Sequence, residues 1–321
     1  MAAEKHIKDV PERMRRKVVG ILIATVVLMS AASFIASKQY FLRLESNTAN
    51  NQMALYLRAL NETLNQHQHL PFVLARDPRY SDALQPISID PGVNLRLSQL
   101  SQEAGLEAIY VMDSEGVVLA ASNAGQANSF LGENYGFRPY FQEALNGARS
   151  DYFAIGATSG RPGYFVAEPV TFASGTQKGV IAIKLDMSEL QRSWESDTEI
   201  VLAVNTNNIV VLASNPDWLY RSIADLDADV RDTIFASRQF ENEPLSPLDW
   251  TQIGDRRVDV EGGKYILAQG QANWRDWRVL YLRSEAVVTR QTLLATGLLG
   301  RLITLLAGFA TFFRSRRIQL A

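Results

Sequence analysis

No cysteine occurs in the 321 residues, which excludes disulfides, thiolate metal sites and a cysteine nucleophile. Histidine is nearly absent too. Only His6, His67 and His69 are present, and none sits near a plausible serine–aspartate pair. The His67–His69 pair has no further ligands close by in the chain, so no metal is expected. G-x-S-x-G, G-x-x-x-x-G-K-[ST] and H-E-x-x-H are all missing. No catalytic residue and no cofactor is therefore expected, and the chain reads as a non-enzyme. A net charge of −2 gives no electrostatic reason to expect a nucleic-acid partner. Proline and glycine are lacking from Lys38 to Leu70, so nothing there interrupts a long helix.

Charge is also missing from Val18–Ser37, a run of 20 residues preceded by Arg13, Arg15, Arg16 and Lys17. About 20 apolar residues cross a bilayer core. A second apolar segment, Thr292–Phe313, is followed by Arg314, Arg316 and Arg317. Basic clusters on the chain-end side of both segments place both termini in the cytoplasm and residues 38–291 outside it. A cleavable leader ending near Ala31-Ala32-Ser33 is the competing reading of the first span, against which its length argues. Arg301 interrupts the second span, where an arginine costs about 2.5–3.5 kcal/mol. It either snorkels to the surface or meets another subunit.

Met53, Leu57, Leu60 and Leu64 draw one stripe on the helix from Lys38 to about Leu70. That stripe is expected to serve both as a homodimer seam and as a face packed on the adjacent domain, in different portions. A short helix is expected over Asn94–Ala104. Strands over Glu107–Met112 and Val117–Ala121 form a hairpin around Asp113-Ser114-Glu115-Gly116. Arg138–Leu145 reads as a helix with Pro139 in its first turn and Gly147 past its end. Strands at Asp151–Ala157, Tyr164–Phe172 and Val180–Asp186 follow, then a helix from Ser188. The pattern partly repeats, with strands at Glu199–Asn205 and Ile209–Ser214 and a helix-like stretch at Asp225–Gln239. Strands at Asp249–Ile253, Arg256–Glu261, Lys264–Gln271 and Arg278–Arg283 complete it, and the chain is helical from Glu285. The fold class is α+β, with two PAS-like domains in tandem on a long N-terminal helix between two membrane spans. The expected division is 1–17 cytoplasmic, 18–37 first span, 38–92 stalk and connection, 93–195 membrane-distal domain, 196–284 membrane-proximal domain, 292–313 second span and 314–321 tail.

The chemistry concentrates in Gly132–Lys184. Arg138 opens a helix, where a guanidinium can hold a carboxylate by two parallel bonds and the helix end adds free N–H groups. A surface arginine is the plain alternative. Thr158 and Ser159 lie in a glycine-flanked loop able to grip an oxyanion. Lys184 and Asp186 share one face of a strand. Lys184 is either a second cationic clamp or a solvated lysine on an edge strand, and Asp186 before Ser188 is a helix-capping acid or a ligand group. Tyr140 and Tyr164 are either ligand contacts or core aromatics.

Asn134-Tyr135-Gly136-Phe137-Arg138-Pro139-Tyr140-Phe141, Gly156-Ala157-Thr158-Ser159 and Pro162-Gly163-Tyr164 together resemble the sensor region of four-carbon-dicarboxylate sensor histidine kinases. These are bacterial inner-membrane receptors with a periplasmic double Cache (tandem PAS-like) domain. The resemblance covers the whole chain and implies that the distal domain binds succinate, fumarate or malate. Arg138, Tyr140, Thr158, Ser159, Tyr164 and Lys184 would then line the pocket. It also implies a homodimer that relays occupancy across the membrane in a two-component system. Ala157 stands where a second hydroxyl residue is expected and Phe165 where a second tyrosine is common. With no kinase motif before Ala321, the output is expected from a separate cytoplasmic kinase or from a kinase domain missing here. A double Cache receptor for another small acid or an amino acid, and a structural membrane protein, are the alternatives.

Overall fold

A computed structural model describes residues 12–82, 91–171, 178–196, 199–273 and 277–320. One helix, α1 (Glu12–Asn65), runs 54 residues through the first apolar stretch and on into the stalk. It ends at Asn65, short of the expected Leu70, and a turn leads to α2 (Leu70–Leu74), which has Pro71 in its first turn. Short α3 (Pro78–Asp82) and α4 (Pro91–Glu103) follow. Within the helical stretch Ile23–Leu74 lies a window apolar enough to cross a membrane, the one such stretch found among the described residues.

The distal domain is a five-stranded antiparallel sheet in the order β2-β1-β5-β4-β3. Its strands are β1 (Ala108–Met112), β2 (Val118–Ala121), β3 (Ser150–Ile155), β4 (Pro162–Thr171) and β5 (Lys178–Asp186), with α5 (Pro139–Leu145) between β2 and β3. The β1–β2 turn forms because the Asp113 carboxylate accepts from the amides of Glu115 (2.8 Å) and Val117 (3.0 Å). Gly116 closes it at φ +86°, and a side chain there would lie 2.3 Å from the Gly136 amide nitrogen. The last residue of the expected strand Tyr164–Phe172 falls outside the described residues.

After α6 (Ser188–Trp194) the proximal domain repeats that plan, in a sheet ordered β7-β6-β11-β10-β9-β8. Its strands are β6 (Ile200–Val204), β7 (Val210–Ala213), β8 (Trp250–Gln252), β9 (Arg257–Val260), β10 (Gly263–Gln271) and β11 (Arg278–Ser284). Replacing β7-β6-β11-β10-β9 by β2-β1-β5-β4-β3 maps one sheet onto the other, with β8 as an extra edge. The helix expected over Asp225–Gln239 is the shorter α7 (Ala228–Ala236). From β11 the chain enters α8 (Glu285–Leu320), which carries the second apolar stretch with Leu298, Leu302, Leu305 and Phe309 exposed.

The stalk stripe packs on the chain's own domains. Leu60 and Leu64 are buried in the main core, and Met53 and Leu57 lie against it. Contact with β10 is close, since a side chain at Gly270 would come within 2.5 Å of the Met53 sulfur. Nearer the first apolar stretch, buried Glu45 accepts from Arg283 Nε at 2.8 Å and from Gln291 Nε2 at 3.2 Å, tying α1 to both β11 and α8. Burying these groups is tolerable because the carboxylate is paired and hydrogen-bonded on both oxygens.

Candidate ligand site

Side chains on β1, β4 and β5 alternate between two faces. Ile109, Val111, Val166, Ile181 and Ile183 face the stalk and α4, whereas Tyr110, Phe165 and Ala182 face α5. The second face forms the site. Arg138 caps α5 in an extended conformation and Pro139 fixes the first helical φ, so Tyr140 turns inward onto the sheet. The Tyr140 ring stacks on Phe165 at 5.1 Å and 4°. Its hydroxyl meets that of Tyr110 at 2.7 Å, and the Tyr135 hydroxyl meets Thr158 Oγ1 at the same distance. Tyr110 packs edge-on against Phe130 and Tyr135. Between them is a cavity of about 10 Å³, lined by Tyr110, Tyr135, Arg138, Tyr140, Thr158 and Phe165 among others. That is room for about one water molecule.

Lys184 is fully buried on β5, which lies at the centre of the sheet, and this removes the edge-strand reading. Its ammonium donates to Ser159 Oγ (2.6 Å), Glu107 Oε1 (2.8 Å) and the Arg161 carbonyl (3.3 Å). Two glycines make room for it. A Cβ at Gly163 would stand 2.3 Å from Lys184 Cε, and one at Gly156 would stand 2.6 Å from Nζ and 2.5 Å from Ser159 Oγ. Arg161 bridges Glu107 (3.1 Å) and Asp186 (3.2 Å). Asp186 also accepts from the Ser188 amide at 2.8 Å, a local cap at the start of α6. Burial pushes the Lys184 pKa down against the pull of Glu107. Burial likewise raises Tyr110 and Tyr140, and carries Tyr135 up to about 12.

The six sequence-predicted residues divide into three groups. Arg138, Tyr140 and Thr158 line the cavity; Ser159 and Lys184 are bonded together behind Gly156; Tyr164 is elsewhere. Tyr164 neighbours Phe165 on β4 and so faces the other side of the sheet. It packs on Trp277 at 6.0 Å, donates to Asp151, and lines an open cleft of about 350 Å³ between the two domains. Arg138 also departs from the expected carboxylate clamp. Its guanidinium donates to the carbonyls of Ile155 (2.9 Å), Ser237 (3.1 Å) and Arg238 (2.8 Å), with Glu241 at 3.5 Å. Gln239 continues this junction along edge strand β3, donating to the Phe153 carbonyl and accepting from the Ile155 amide, each at 2.9 Å. Sequence reasoning missed Tyr110, Tyr135, Phe130 and Glu107. For Tyr110 a signal existed, because its alternation with Ile109 and Val111 puts it opposite the core face.

Residues 16–292 match the family described as Cache domain. The chain is 29% identical over 300 residues to the C4-dicarboxylate transport sensor protein DctB of Pseudomonas aeruginosa, covering 90% of this chain and 48% of the relative. The protein of the same name from Rhizobium meliloti is 28% identical over 321 residues, 93% of this chain and 51% of the relative. The chain thus spans about half the length of the curated relatives it matches. Among solved structures, the sensor domain of the Vibrio cholerae histidine kinase DctB superposes with a TM-score of 0.66 at 28% identity, over 76% of this chain and 97% of that one. With a family match over most of its length and the same architecture in a solved relative, the chain belongs to the Cache-domain family.

Proposed function

We propose that this chain is the membrane-bound sensor part of a two-component system, and that its distal domain binds succinate, fumarate or malate outside the cytoplasm. The observation that carries the reading is the α5-facing side of the distal sheet, in a chain similar over nine-tenths of its length to C4-dicarboxylate sensors. There the Thr158 hydroxyl and the hydroxyls of Tyr110, Tyr135 and Tyr140 meet at one small cavity, with the buried Lys184 ammonium and the Ser159 hydroxyl bonded together behind Gly156 in its wall. A dianion needs charge and hydrogen-bond donors in a site that excludes water, and these groups supply both. Lys184, Ser159 and Thr158 would hold one carboxylate; Tyr140 and Tyr110 would hold the other. Arg138 would contribute positive potential from one wall while its bonds hold the proximal domain. Tyr164 has no place in this site.

The cavity is far smaller than the roughly 300 Å³ at which ligand pockets begin. Ligand entry therefore requires the loop 156–161 to move outward, exchanging the Thr158–Tyr135 and Ser159–Lys184 bonds for bonds to carboxylate oxygens. In this reading α1 and α8 both cross the inner membrane with cytoplasmic ends, the protein is a homodimer, and occupancy is relayed to a histidine kinase. Titration calorimetry of residues 38–291 with succinate, fumarate, malate and an amino acid is the test. Heat with at least one dicarboxylate and none with the amino acid supports the reading; the reverse pattern overturns it.

A further inference from the structure

We propose a second site, at which this protein binds the phosphate of an anionic phospholipid, one without a cationic headgroup, in the membrane that α1 crosses. It rests on the orientation given under Proposed function and on a pocket separate from the dicarboxylate site. That pocket, about 260 Å³, lies between the stalk and the β8–β9 hairpin. Arg43, Arg256 and Arg257 line it over a floor of Leu42 and Ile266, with Ser46 and Asn47 completing the wall. No carboxylate contributes to the lining. Glu45, two residues on from Arg43 and on another side of the helix, is committed to Arg283 and Gln291. Arg257 has only Glu285, at 3.8 Å, and neither Arg43 nor Arg256 makes an ion pair among the described residues. Three guanidinium groups gathered on one cavity repel one another unless an anion joins them. A phosphate oxygen pair matches the guanidinium fork better than any other common anion except carboxylate.

Height along α1 decides between a lipid and a free phosphate. Arg43 lies six residues beyond Ser37, the end of the charge-free run, or about 9 Å along the helix axis. Side chains on a helix lean toward its N-terminus, here toward the membrane. The headgroup layer is about 5–8 Å thick on each side of the hydrocarbon, so the Arg43 guanidinium reaches the phosphate plane. One turn below, Tyr40 is 63% exposed, as interfacial aromatics are, and Leu44 is exposed beside it. The apolar floor suits the glycerol end of a lipid, which inorganic phosphate lacks.

The test uses the full chain in nanodiscs of equal phosphatidylglycerol and phosphatidylcholine, released in a mass spectrometer and scored for retained lipid. Phosphatidylglycerol should be retained several-fold over phosphatidylcholine. Arg43→Gln with Arg256→Gln should abolish that preference. Both residues are exposed, and an unchanged melting curve separates lost binding from lost folding. Arg192→Gln, which removes a charge elsewhere, should change nothing. Equal retention of the two lipids, or retention unaffected by the double substitution, overturns the proposal. Removal of the preference by millimolar inorganic phosphate also overturns it, in favour of a free-anion site. A single Asn50→Cys reporter in this cysteine-free chain, probed with a membrane-impermeant maleimide from outside the cell, tests the orientation separately. No labelling overturns the orientation, whereas labelling without lipid preference overturns the pocket.

Discussion

Replacing Arg138 by methionine keeps the volume of the side-chain stem and removes its hydrogen-bonding fork. The carbonyls of Ile155, Ser237 and Arg238, held at 2.8–3.1 Å, then lose their donor. Each acceptor stranded in a buried site costs about 1–3 kcal/mol. The Arg238 carbonyl is partly accessible and can recruit water, so its cost falls at the low end. Glu241, with its side chain 33% exposed and 3.5 Å away, adds at most about 1 kcal/mol. The expected loss is about 3–5 kcal/mol. For a urea slope of about 2 kcal/mol/M that is a midpoint shift of about 1.5–2.5 M. Urea unfolding of residues 38–291, followed by tryptophan fluorescence, measures it. Because the lost bonds join distal to proximal domain, the transition should also broaden or split. Arg138→Lys keeps the charge but presents a point donor, and should recover about half the loss. A loss under about 1 kcal/mol in Arg138→Met, with dicarboxylate binding abolished, would refute this account. The guanidinium would then be a ligand group and its carbonyl bonds incidental.

Three further outcomes are expected. Lys184→Met should destabilise the distal domain by about 3–5 kcal/mol by leaving Glu107 buried beside only Arg161, and Lys184→Met with Glu107→Leu should regain much of it; additive losses in the double-mutant cycle would contradict the pairing. Gly163→Ala should cost about 1–3 kcal/mol by displacing Lys184, with its Cβ 2.3 Å from Cε, and a neutral result in thermal melts would show that the lysine has another place to go. Burial raises Tyr56, Tyr135 and Tyr220 from an ordinary 10.0 to about 12, so their contribution is complete below pH 10 and is lost as pH rises toward 12. Lys184 acts oppositely, its depressed pKa giving stability that rises until about its ordinary 10.5, but three tyrosines outweigh one lysine, so the net decline should begin near pH 10 and steepen above 10.5. Denaturant titrations at pH 9, 10.5 and 11.5 read the slope, and Tyr135→Phe should reduce it by about one proton.

The elements of both domains were legible because turn chemistry and apolar alternation are local. Asp113 and Gly116 announced the first hairpin, Pro139 and Gly147 the ends of α5. The stalk stripe was legible as a stripe, yet its partner was not, because a seam with a second copy and a seam with Gly270 present the same spacing. What failed depended on register. Nothing local says that Phe165 pairs with Lys184 across β4 and β5, and that pairing puts Phe165 at the cavity and turns Tyr164 away from it. The burial of Lys184 was hidden for the same reason, since its strand becomes central only once the other strands are placed around it. Arg138 is the extreme case. Two of its acceptors lie 99 and 100 residues downstream, and no spacing in the sequence points to them.

The clasp of Glu45 with Arg283 and Gln291 constrains how α1 and α8 can move against each other. Sliding α8 against α1 by a helical turn, about 5.4 Å, would strip the carboxylate of both partners and leave it buried without compensation. Tilting the helices about that point stretches neither the 2.8 Å nor the 3.2 Å bond appreciably. Mechanically the clasp is a fulcrum. Under the proposed orientation it leaves the two helices free to pivot, but not to slide, where they leave the apolar stretches.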